Sequence, residues 1–483
     1  MRSEDRETRF VSKELWRWSA VKLAEQIRRR EISCQEAVAS CLARLEQVNP
    51  QINAVVEILA DQAMETAVKA DEALGRGDPV GLLHGVPITV KVNVDQAGCT
   101  TSNGVSAYRH VVAQVDSPVV ANLRKSGAII IGRNNTPAFS FRWFTDNDLH
   151  GRTVNPWDPM RTPGGSSGGA AAAVAAGIGP IAHGNDQGGS IRYPAYACGV
   201  FGLRPSLGRV PAFNPSEARE RPVAAQIASV QGPLARSIAD LRLGLAAMAA
   251  PDFRDPWWVP APLESPAVHF PARVAVCTSV PGYAADNAVV TAVRQAAHLL
   301  EQAGCTLEEV APPRLREAAD LWLALSLNET RAGMRQAVAD HGDEPIQRAI
   351  ASMVRQTPEL EIGGYMDALS LRSTLLREWL AFFDRYPLLL MPVSWQRPFL
   401  IDADQQGDDA MRRILDAQSP LLATAILGLP GLSVPTGLVD GVPMGVQLVA
   451  GRFQESLCLA AGEAIEARAG VAVPVNPHFS THP

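Results

Sequence analysis

Apolar and polar residues alternate along this chain with two periods, one typical of helices and the other typical of strands. Ser33 and Glu36 form the capping-box pattern that starts a helix, and apolar residues follow at helical spacing as far as Val48. From Val86 to Val94 every second residue is apolar, which predicts a strand. Lys91 lies on the polar face of that strand, and by this pattern alone a strand lysine is expected to be solvated.

The same two patterns predict elements along the rest of the chain. Strands are expected at residues 53–58, 128–132, 272–277, 306–310, 388–392 and 444–449, and helices at 61–74, 117–126, 285–303 and 454–467, with residues 314–388 mostly helical. The isoleucine run in the strand at 128–132 is typical of a strand covered on both faces. Strands and helices that alternate in this way indicate an α/β fold with a helix-covered sheet. Residues 251–271 contain six prolines and are predicted to form a linker or surface crossover.

Composition excludes several classes of protein. The 483 residues include 44 Lys plus Arg and 50 Asp plus Glu, and the resulting formal net charge of -6 disfavours broad binding to nucleic acid. With 47% hydrophobic and 19% charged residues, the chain is neither disordered nor a coiled coil. No apolar run approaches the roughly 20 residues that span a bilayer. The seven cysteines are scattered without a Cys-x-x-Cys pair, so we expect buried thiols and a reducing, cytoplasmic setting.

The most unusual segment is a block rich in glycine and serine, Arg161–Ala170, which continues into an alanine-rich helix ending at Gly177. A flexible linker has this composition, but linkers do not usually continue into a helix whose alanines pack closely. The glycines before a helix would suit a phosphate, but the nucleotide-binding patterns are missing. Ser167 is the centre of a Gly-x-Ser-x-Gly pattern, the nucleophile turn of α/β-hydrolases. The strand that should precede this turn is excluded by the two prolines of residues 158–163.

A second block with glycine and serine, Gly184–Arg192, follows shortly afterwards. Together with Lys91, the two blocks resemble the amidase signature family, which uses a Ser-cis-Ser-Lys triad. The resemblance is carried by six stretches: Gly85–Lys91, Asn155–Gly169, Gly184–Arg192, Cys198–Pro205, Gly428–Gly437 and Met444–Val449. It covers nearly the whole chain and implies a large single α/β domain, with a mixed central β-sheet covered by α-helices on both faces.

The resemblance also implies roles for individual residues. By position, Ser190 would be the nucleophile that forms an acyl-enzyme, Ser166 the bridging serine after a cis peptide bond, and Lys91 the base. A serine hydroxyl needs a neighbour that accepts its proton, and a lysine can accept one only when burial keeps it neutral. The oxyanion hole would consist of four consecutive backbone N–H groups, those of Gln187, Gly188, Gly189 and Ser190.

Other positions near these residues are interpreted as structural or as departures from the family pattern. Asp186 and Arg192 flank the loop and are interpreted as an ion pair that fixes the turn. Trp322 and Trp379 are expected in the core rather than in the pocket. Four residues differ from the usual family pattern, namely Val92, Ala138, Ala170 and Gln187. None of them removes a member of the triad, but together they indicate a subgroup in which the residues around the triad are altered, so the substrate is not inferred from better-known members at this point.

The resemblance implies an amidase, without a cofactor or metal, that hydrolyses a small-molecule carboxamide to a carboxylate and ammonia or an amine. Two alternatives stay open: a glutaminase-type component of a tRNA-dependent amidotransferase, and a catalytically silent homologue that acts as a binding protein. Neither a nucleic acid nor a membrane is expected as a partner, whereas a homodimer is common in similar enzymes. The expected regions are an N-terminal helical region packing on the core (1–80), the signature core with the triad (81–210), a variable substrate-specificity region (211–400) and the C-terminal part of the core (401–483).

Overall fold

Eleven strands build the central sheet, seen in a computed structural model that describes residues 14–264, 269–469 and 472–477. The strands are β1 (Val55–Ile58), β2 (Pro87–Lys91), β3 (Ile129–Asn134), β4 (Ile181–Asp186), β5 (Phe201–Arg204), β6 (Val230–Ala235), β7 (Arg273–Val276), β8 (Thr306–Glu309), β9 (Leu388–Pro392), β10 (Gly431–Val439) and β11 (Val442–Ala450). Their order across the sheet is β1-β3-β2-β4-β6-β5-β10-β11-β9-β7-β8. The sheet is mixed, because β2 runs parallel to β3 and β4, and β7 to β8 and β9, whereas the other pairs are antiparallel.

Sixteen α-helices of the described residues surround this sheet. They are α1 (Ala20–Arg28), α2 (Cys34–Ile52), α3 (Ala60–Arg76), α4 (Pro118–Lys125), α5 (Gly168–Ala176), α6 (Arg192–Cys198), α7 (Val223–Ala228), α8 (Ile238–Met248), α9 (Asn287–Gln302), α10 (Leu315–Glu329), α11 (Arg335–His341), α12 (Glu344–Arg355), α13 (Ile362–Arg385), α14 (Asp408–Ala417), α15 (Ser419–Ile426) and α16 (Glu455–Glu466). The predicted α/β class with a mixed, helix-covered sheet is therefore confirmed. No helix among the described residues combines the length and the apolar character needed to cross a membrane.

Many local signals of the sequence correspond to observed elements. The capping box is present at the start of α2, where Ser33 accepts from the Glu36 backbone and Glu36 accepts from the Ser33 backbone. Every side chain of β3 is buried, as its isoleucine run predicted. In their described part, residues 251–271 contain no helix or strand, as expected of a crossover. The three strands and the helices predicted between residues 272 and 392 are all present, with boundaries shifted by one to a few residues.

Two kinds of prediction about strands were wrong. The alternating run that starts at Val86 does not stay extended to Val94, because the chain turns after Lys91. Strands β4, β5, β6 and β10 were not predicted. β4 reads Ile-Ala-His-Gly-Asn-Asp and has no apolar alternation, since both of its faces are buried. Burial on both faces removes the period-two pattern by which strands are recognised.

The sheet positions the polar residues through its parallel central strands. β2 and β4 are paired in parallel, so their carboxyl ends lie at the same edge of the sheet. Lys91 ends β2 and Asp186 ends β4, and the Gly184–Arg192 block begins inside β4. Strands from all four predicted regions contribute to the one sheet. The division of the chain into these regions stays a prediction.

Candidate active site

Four segments bring polar side chains together at the carboxyl ends of β2 and β4. Lys91 comes from the end of β2, Asn185 from β4, and Ser166 and Ser167 from the turn that precedes α5. Ser190 lies between β4 and α6 and lines the same cavity as Ser166 and Asn185. The peptide bond between Gly165 and Ser166 is cis.

The Lys91 amine is completely buried and has three polar neighbours. Its Nζ lies 2.7 Å from Ser166 Oγ, 3.2 Å from Ser167 Oγ and 2.7 Å from Asn185 Oδ1. An ammonium group would donate to all three oxygens. A neutral amine has only two N–H donors and one lone pair, and the Asn185 oxygen cannot donate, so in that state a serine hydroxyl must donate to Nζ. The neutral amine is therefore placed to receive a serine proton.

The electrostatic environment favours the neutral form of this amine. Burial lowers the pKa of Lys91 well below its usual value, and the field of Asp186 opposes this effect only in part. Burial also lowers the pKa of His183 to about 4, so this neighbouring imidazole is neutral near pH 7. A base has to be unprotonated before it can act, and burial favours the unprotonated form of Lys91.

Asn185 was not identified by the sequence analysis as a site residue. Its side-chain amide donates to Asn93 Oδ1 at 2.9 Å, which directs Oδ1 of Asn185 toward the lysine. Asn93 in turn donates to Ser140 Oγ at 3.0 Å, so the lysine is connected to a chain of uncharged amides and hydroxyls. Its position in the Gly184–Arg192 block was the only available signal, because the contact joins residues 94 positions apart.

Ser167 also contacts the lysine but lacks the features of a hydrolase nucleophile. The side chain is fully buried, and Ser167 Oγ accepts from the Asn185 backbone N–H at 3.3 Å. Residues 155–163 contain no strand, in agreement with the sequence-based rejection of the α/β-hydrolase pattern. The Ser167 backbone N–H donates to the Ser190 carbonyl at 3.2 Å and thereby joins the two serine-containing segments.

Asp186 organises the loop that contains Ser190. Its carboxylate accepts from the backbone N–H groups of Gly189 at 2.8 Å and Ile191 at 3.2 Å. It also pairs with Arg192 at 2.9 Å and Arg204 at 3.2 Å, and all three charged side chains are fully buried. Burial raises the pKa of Asp186, but the two arginines outweigh it and hold that pKa well below its usual value. The predicted structural ion pair of Asp186 with Arg192 is thus present, with Arg204 as a further member.

The carbonyl groups of this loop point outward to two tryptophans. Trp322 Nε1 donates to the Gln187 carbonyl at 2.7 Å, and Trp143 Nε1 donates to the Gly188 carbonyl at 3.0 Å. Gly189 has a φ of 107°, and a Cβ there would lie 2.6 Å from Leu421 Cδ1, so glycine is required on both conformational and steric grounds. Trp322 is buried as expected, yet it also borders the small cavity beside Ser190.

The cavity that contains Ser166 and Ser190 has a volume of about 160 Å³. Three phenylalanines contribute apolar surface to it: Phe139, Phe141 and Phe213. The remaining lining is mainly amide and hydroxyl groups, with Glu217 and Arg221 among the lining residues. The hydrogen bonds of the described residues join Lys91 to Ser166 but do not include one between the Ser166 and Ser190 hydroxyls. Such contacts are often longer before substrate binds.

A family model described as Amidase matches residues 36–459 of the chain. The indoleacetamide hydrolase of Bradyrhizobium diazoefficiens is 46% identical, over 95% of this chain and 87% of that protein. A glutamyl-tRNA(Gln) amidotransferase component from Moorella thermoacetica is 31% identical, over 94% of this chain and 97% of that protein.

Solved structures show the same likeness. A bacterial aryl acylamidase of the amidase signature family matches with a TM-score of 0.80 and 28% identity, over 93% of this chain and 96% of the other. The 6-aminohexanoate cyclic dimer hydrolase, solved with its substrate, matches with a TM-score of 0.82 and 25% identity, over 96% of this chain and 99% of the other.

Proposed function

The chain belongs to the amidase family, and from this membership we propose that Ser190, Ser166 and Lys91 hydrolyse a primary amide with an arylacetyl group. The protein is a carboxamide-hydrolysing enzyme that acts on the C–N bond of a small-molecule amide. The observation that carries the choice of substrate is the 46% identity with indoleacetamide hydrolase over 95% of the chain. Phenylalanine side chains in the cavity support an aromatic acyl group, since aromatic rings favour ring-to-ring contacts.

In the proposed reaction the proton moves along the two serines to the lysine. Ser190 Oγ attacks the amide carbon while its proton passes to Ser166, and the Ser166 proton passes to neutral Lys91 across the 2.7 Å contact. The tetrahedral intermediate then collapses. The C–N bond breaks, the proton returns through Ser166 to the departing nitrogen, and ammonia leaves behind an ester on Ser190. Water attacks this ester with the same relay and releases the carboxylate.

The proposed oxyanion hole stabilises the negative oxygen that forms when Ser190 attacks. Four N–H groups were predicted for it: those of Gln187, Gly188, Gly189 and Ser190. The Gly189 N–H donates to Asp186 Oδ1 at 2.8 Å, so we assign the role to the other three. Each such donor contributes about 3 kcal/mol to the stability of the transition state in related chemistry.

The test compares Ser190→Ala with the wild type on a set of amides. We expect indoleacetamide and phenylacetamide to be hydrolysed faster than hexanamide or glutamine, as measured by ammonia release. Ser190→Ala should abolish turnover of every amide while leaving the melting temperature unchanged, and Lys91→Ala should lose most activity with partial recovery at alkaline pH. Ser370→Ala, a serine on the exposed side of α13, is the control and should keep full activity.

Two results would contradict the proposal. Full activity in Ser190→Ala would remove Ser190 as the nucleophile. Glutamine as the best substrate would favour the amidotransferase alternative, of which one relative is 31% identical to this chain. The two results are separable, because the first tests Ser190 as the nucleophile and the second tests the arylacetyl amide as the substrate.

We further propose a cytoplasmic homodimer that requires neither a cofactor nor nucleic acid. Family resemblance supports the dimer, and the net charge of -6 is unfavourable for binding to a phosphate backbone. Light scattering of the purified enzyme should give twice the mass of the chain. A mass equal to one chain would exclude the dimer and leave the proposed chemistry intact.

A further inference from the structure

The loop that leads to Ser190 is held from outside by two buried indole groups. Trp322 donates to the carbonyl of Gln187 at 2.7 Å, and Trp143 donates to the carbonyl of Gly188 at 3.0 Å. Trp322 is 4% exposed and Trp143 is 7% exposed, so water does not compete effectively for these bonds. A hydrogen bond in such a low-dielectric environment is strong and holds its partners in one orientation.

Each held carbonyl fixes the direction of the N–H group in the same peptide unit. A trans peptide is planar, and its C=O and N–H point in opposite directions. The cis bonds of the described residues lie elsewhere, so the unit from Gln187 to Gly188 is trans. Trp322 therefore directs the Gly188 N–H away from its own ring. Trp143 directs the Gly189 N–H, which the Asp186 carboxylate accepts at 2.8 Å.

Packing restricts the same peptide unit further. A Cβ on Gly188 would lie 2.8 Å from Trp322 Cζ2 and 3.2 Å from Leu422 Cδ2, so the indole and α15 contact the loop directly. Leu421, also from α15, lies against Gly189. Rotation of the Gln187–Gly188 peptide would break the indole hydrogen bond while the Gly188 backbone stays confined by these side chains.

We propose that Trp322 is a positioning residue for the oxyanion hole. By holding the Gln187 carbonyl, Trp322 orients the Gly188 N–H. The proposal rests on the proposed function, in which Gly188 donates to the negative oxygen. It also links α10, in the region 211–400, to the chemical step. An oxyanion donor acts mainly on the transition state, so its misorientation should lower kcat more than it affects substrate binding.

The test is Trp322→Phe, which keeps an aromatic ring but removes the N–H donor. We expect kcat to fall about 10- to 100-fold, with KM within about twofold. Binding of phenylacetaldehyde should weaken by the same factor, because its adduct with Ser190 carries the oxyanion. The matched control is Trp379→Phe, since Trp379 is fully buried and its Nε1 donates to the Pro313 carbonyl at 2.7 Å. Trp379→Phe should lose about as much stability as Trp322→Phe but keep the kcat of the wild type.

A second variant covers the case in which Trp322→Phe does not fold. Benzothienylalanine at position 322 has nearly the shape of tryptophan but carries sulfur in place of the N–H, and it should reproduce the loss of kcat. Equal kcat for the variants at 322 and at 379 would overturn the proposal, as would a lower kcat with unchanged aldehyde binding. An active Ser190→Ala enzyme would instead overturn the proposed function, so the two failures are distinguishable.

Discussion

Lys91 combines complete burial with polar neighbours that carry no charge. The carboxylate that raises its pKa, Asp186, is itself paired with Arg192 and Arg204. Pairing the carboxylate with two cations weakens its attraction for a proton on the lysine. At the scale of the residue, two features therefore favour the neutral form of the proposed base: the desolvation of its amine and the pairing of the neighbouring carboxylate with two arginines.

Replacing Asn185 by Asp should change the pH dependence of the enzyme. In Asn185→Asp, a carboxylate replaces the amide oxygen that lies 2.7 Å from Lys91 Nζ. A negative charge at that distance stabilises the ammonium form and raises the pKa of Lys91. In the proposed mechanism the lysine acts only when neutral, so the acidic limb of kcat/KM against pH should move to higher pH, by at least about one unit. The measurement is a pH profile of ammonia release from phenylacetamide.

Asn185→Ala is the control for this experiment. It removes the same hydrogen bond without adding charge, so its acidic limb should not move upward even if its activity is lower. If the acidic limb of kcat/KM lay at the same pH in Asn185→Asp and Asn185→Ala, the observed titration would not belong to Lys91.

Single residues of the site were predictable to different degrees. Lys91, Ser166 and Ser190 lie within long stretches that resemble one family, so their places in the chain could be named. The contacts of Asn185 and Trp322 could not be predicted, because each contact joins segments that only the fold brings together. An asparagine beside glycines and a tryptophan in a helix have many ordinary roles.

At the scale of the element, α5 shows why glycine and alanine dominate the serine block. Every residue of this helix is buried. A Cβ on Gly169 would lie 2.5 Å from the backbone nitrogen of Asn135 and 2.7 Å from the Ala54 carbonyl oxygen. Only a residue without a side chain permits this approach, which seats the first turn of the helix and thereby the serine turn next to Lys91.

Gly169→Ala should therefore both destabilise the protein and reduce its activity. The backbone atoms that meet the new methyl group cannot move independently, so we expect a loss of about 2 kcal/mol in the free energy of unfolding. The displaced turn should also carry Ser166 away from the lysine. Urea denaturation and ammonia release measure the two effects.

The matched control lies in α3, where Gly75 is exposed and a Cβ would meet nothing within 4 Å. Gly75→Ala should stabilise the protein by about 0.5 kcal/mol, since alanine loses less backbone entropy in a helix. A stabilisation of similar size in both variants would show that helix propensity alone acts at both positions, and that close approach does not explain the glycine at position 169.

Elements with a one-sided apolar pattern or a continuous apolar run were predicted well, whereas buried strands interrupted by glycine, proline or polar residues were not. The helix α2 has an explicit cap and a one-sided apolar pattern, and it begins and ends near the expected residues. β4 and β6 are buried strands with glycine or proline inside, and their local sequences do not differ from those of loops. Pairing with neighbouring strands decides such segments, and pairing partners are distant in sequence.

At the scale of the whole molecule, the packing of helices and connecting segments around the eleven-stranded sheet buries the cysteines. All seven thiols are free and buried. Burial raises the pKa of Cys41 to about 12 and that of Cys277 to about 12. The thiolate is the reactive form, so both inaccessibility and these pKa values suppress reaction with reagents.

The thiols of the native enzyme should therefore not react with Ellman's reagent over minutes. Enzyme unfolded in guanidinium chloride should react at all seven thiols and release seven equivalents of the coloured thiolate. A reducing agent should leave the melting temperature unchanged, because the free thiols contribute no cross-link. Absorbance of the released thiolate measures the first result. One rapidly reacting thiol in the folded protein would show that part of the core opens locally.

The amino-acid sequence by itself determined the class of fold, the family, and the positions of the candidate nucleophile and base. These follow from contiguous patterns, in which neighbours in sequence carry the information. Only the tertiary structure decided that Lys91 is desolvated, that Asn185 and Ser167 share its hydrogen bonds, and that Trp322 holds the loop before Ser190. The physical reason is that burial and hydrogen-bond geometry depend on which distant segments the sheet brings to one edge.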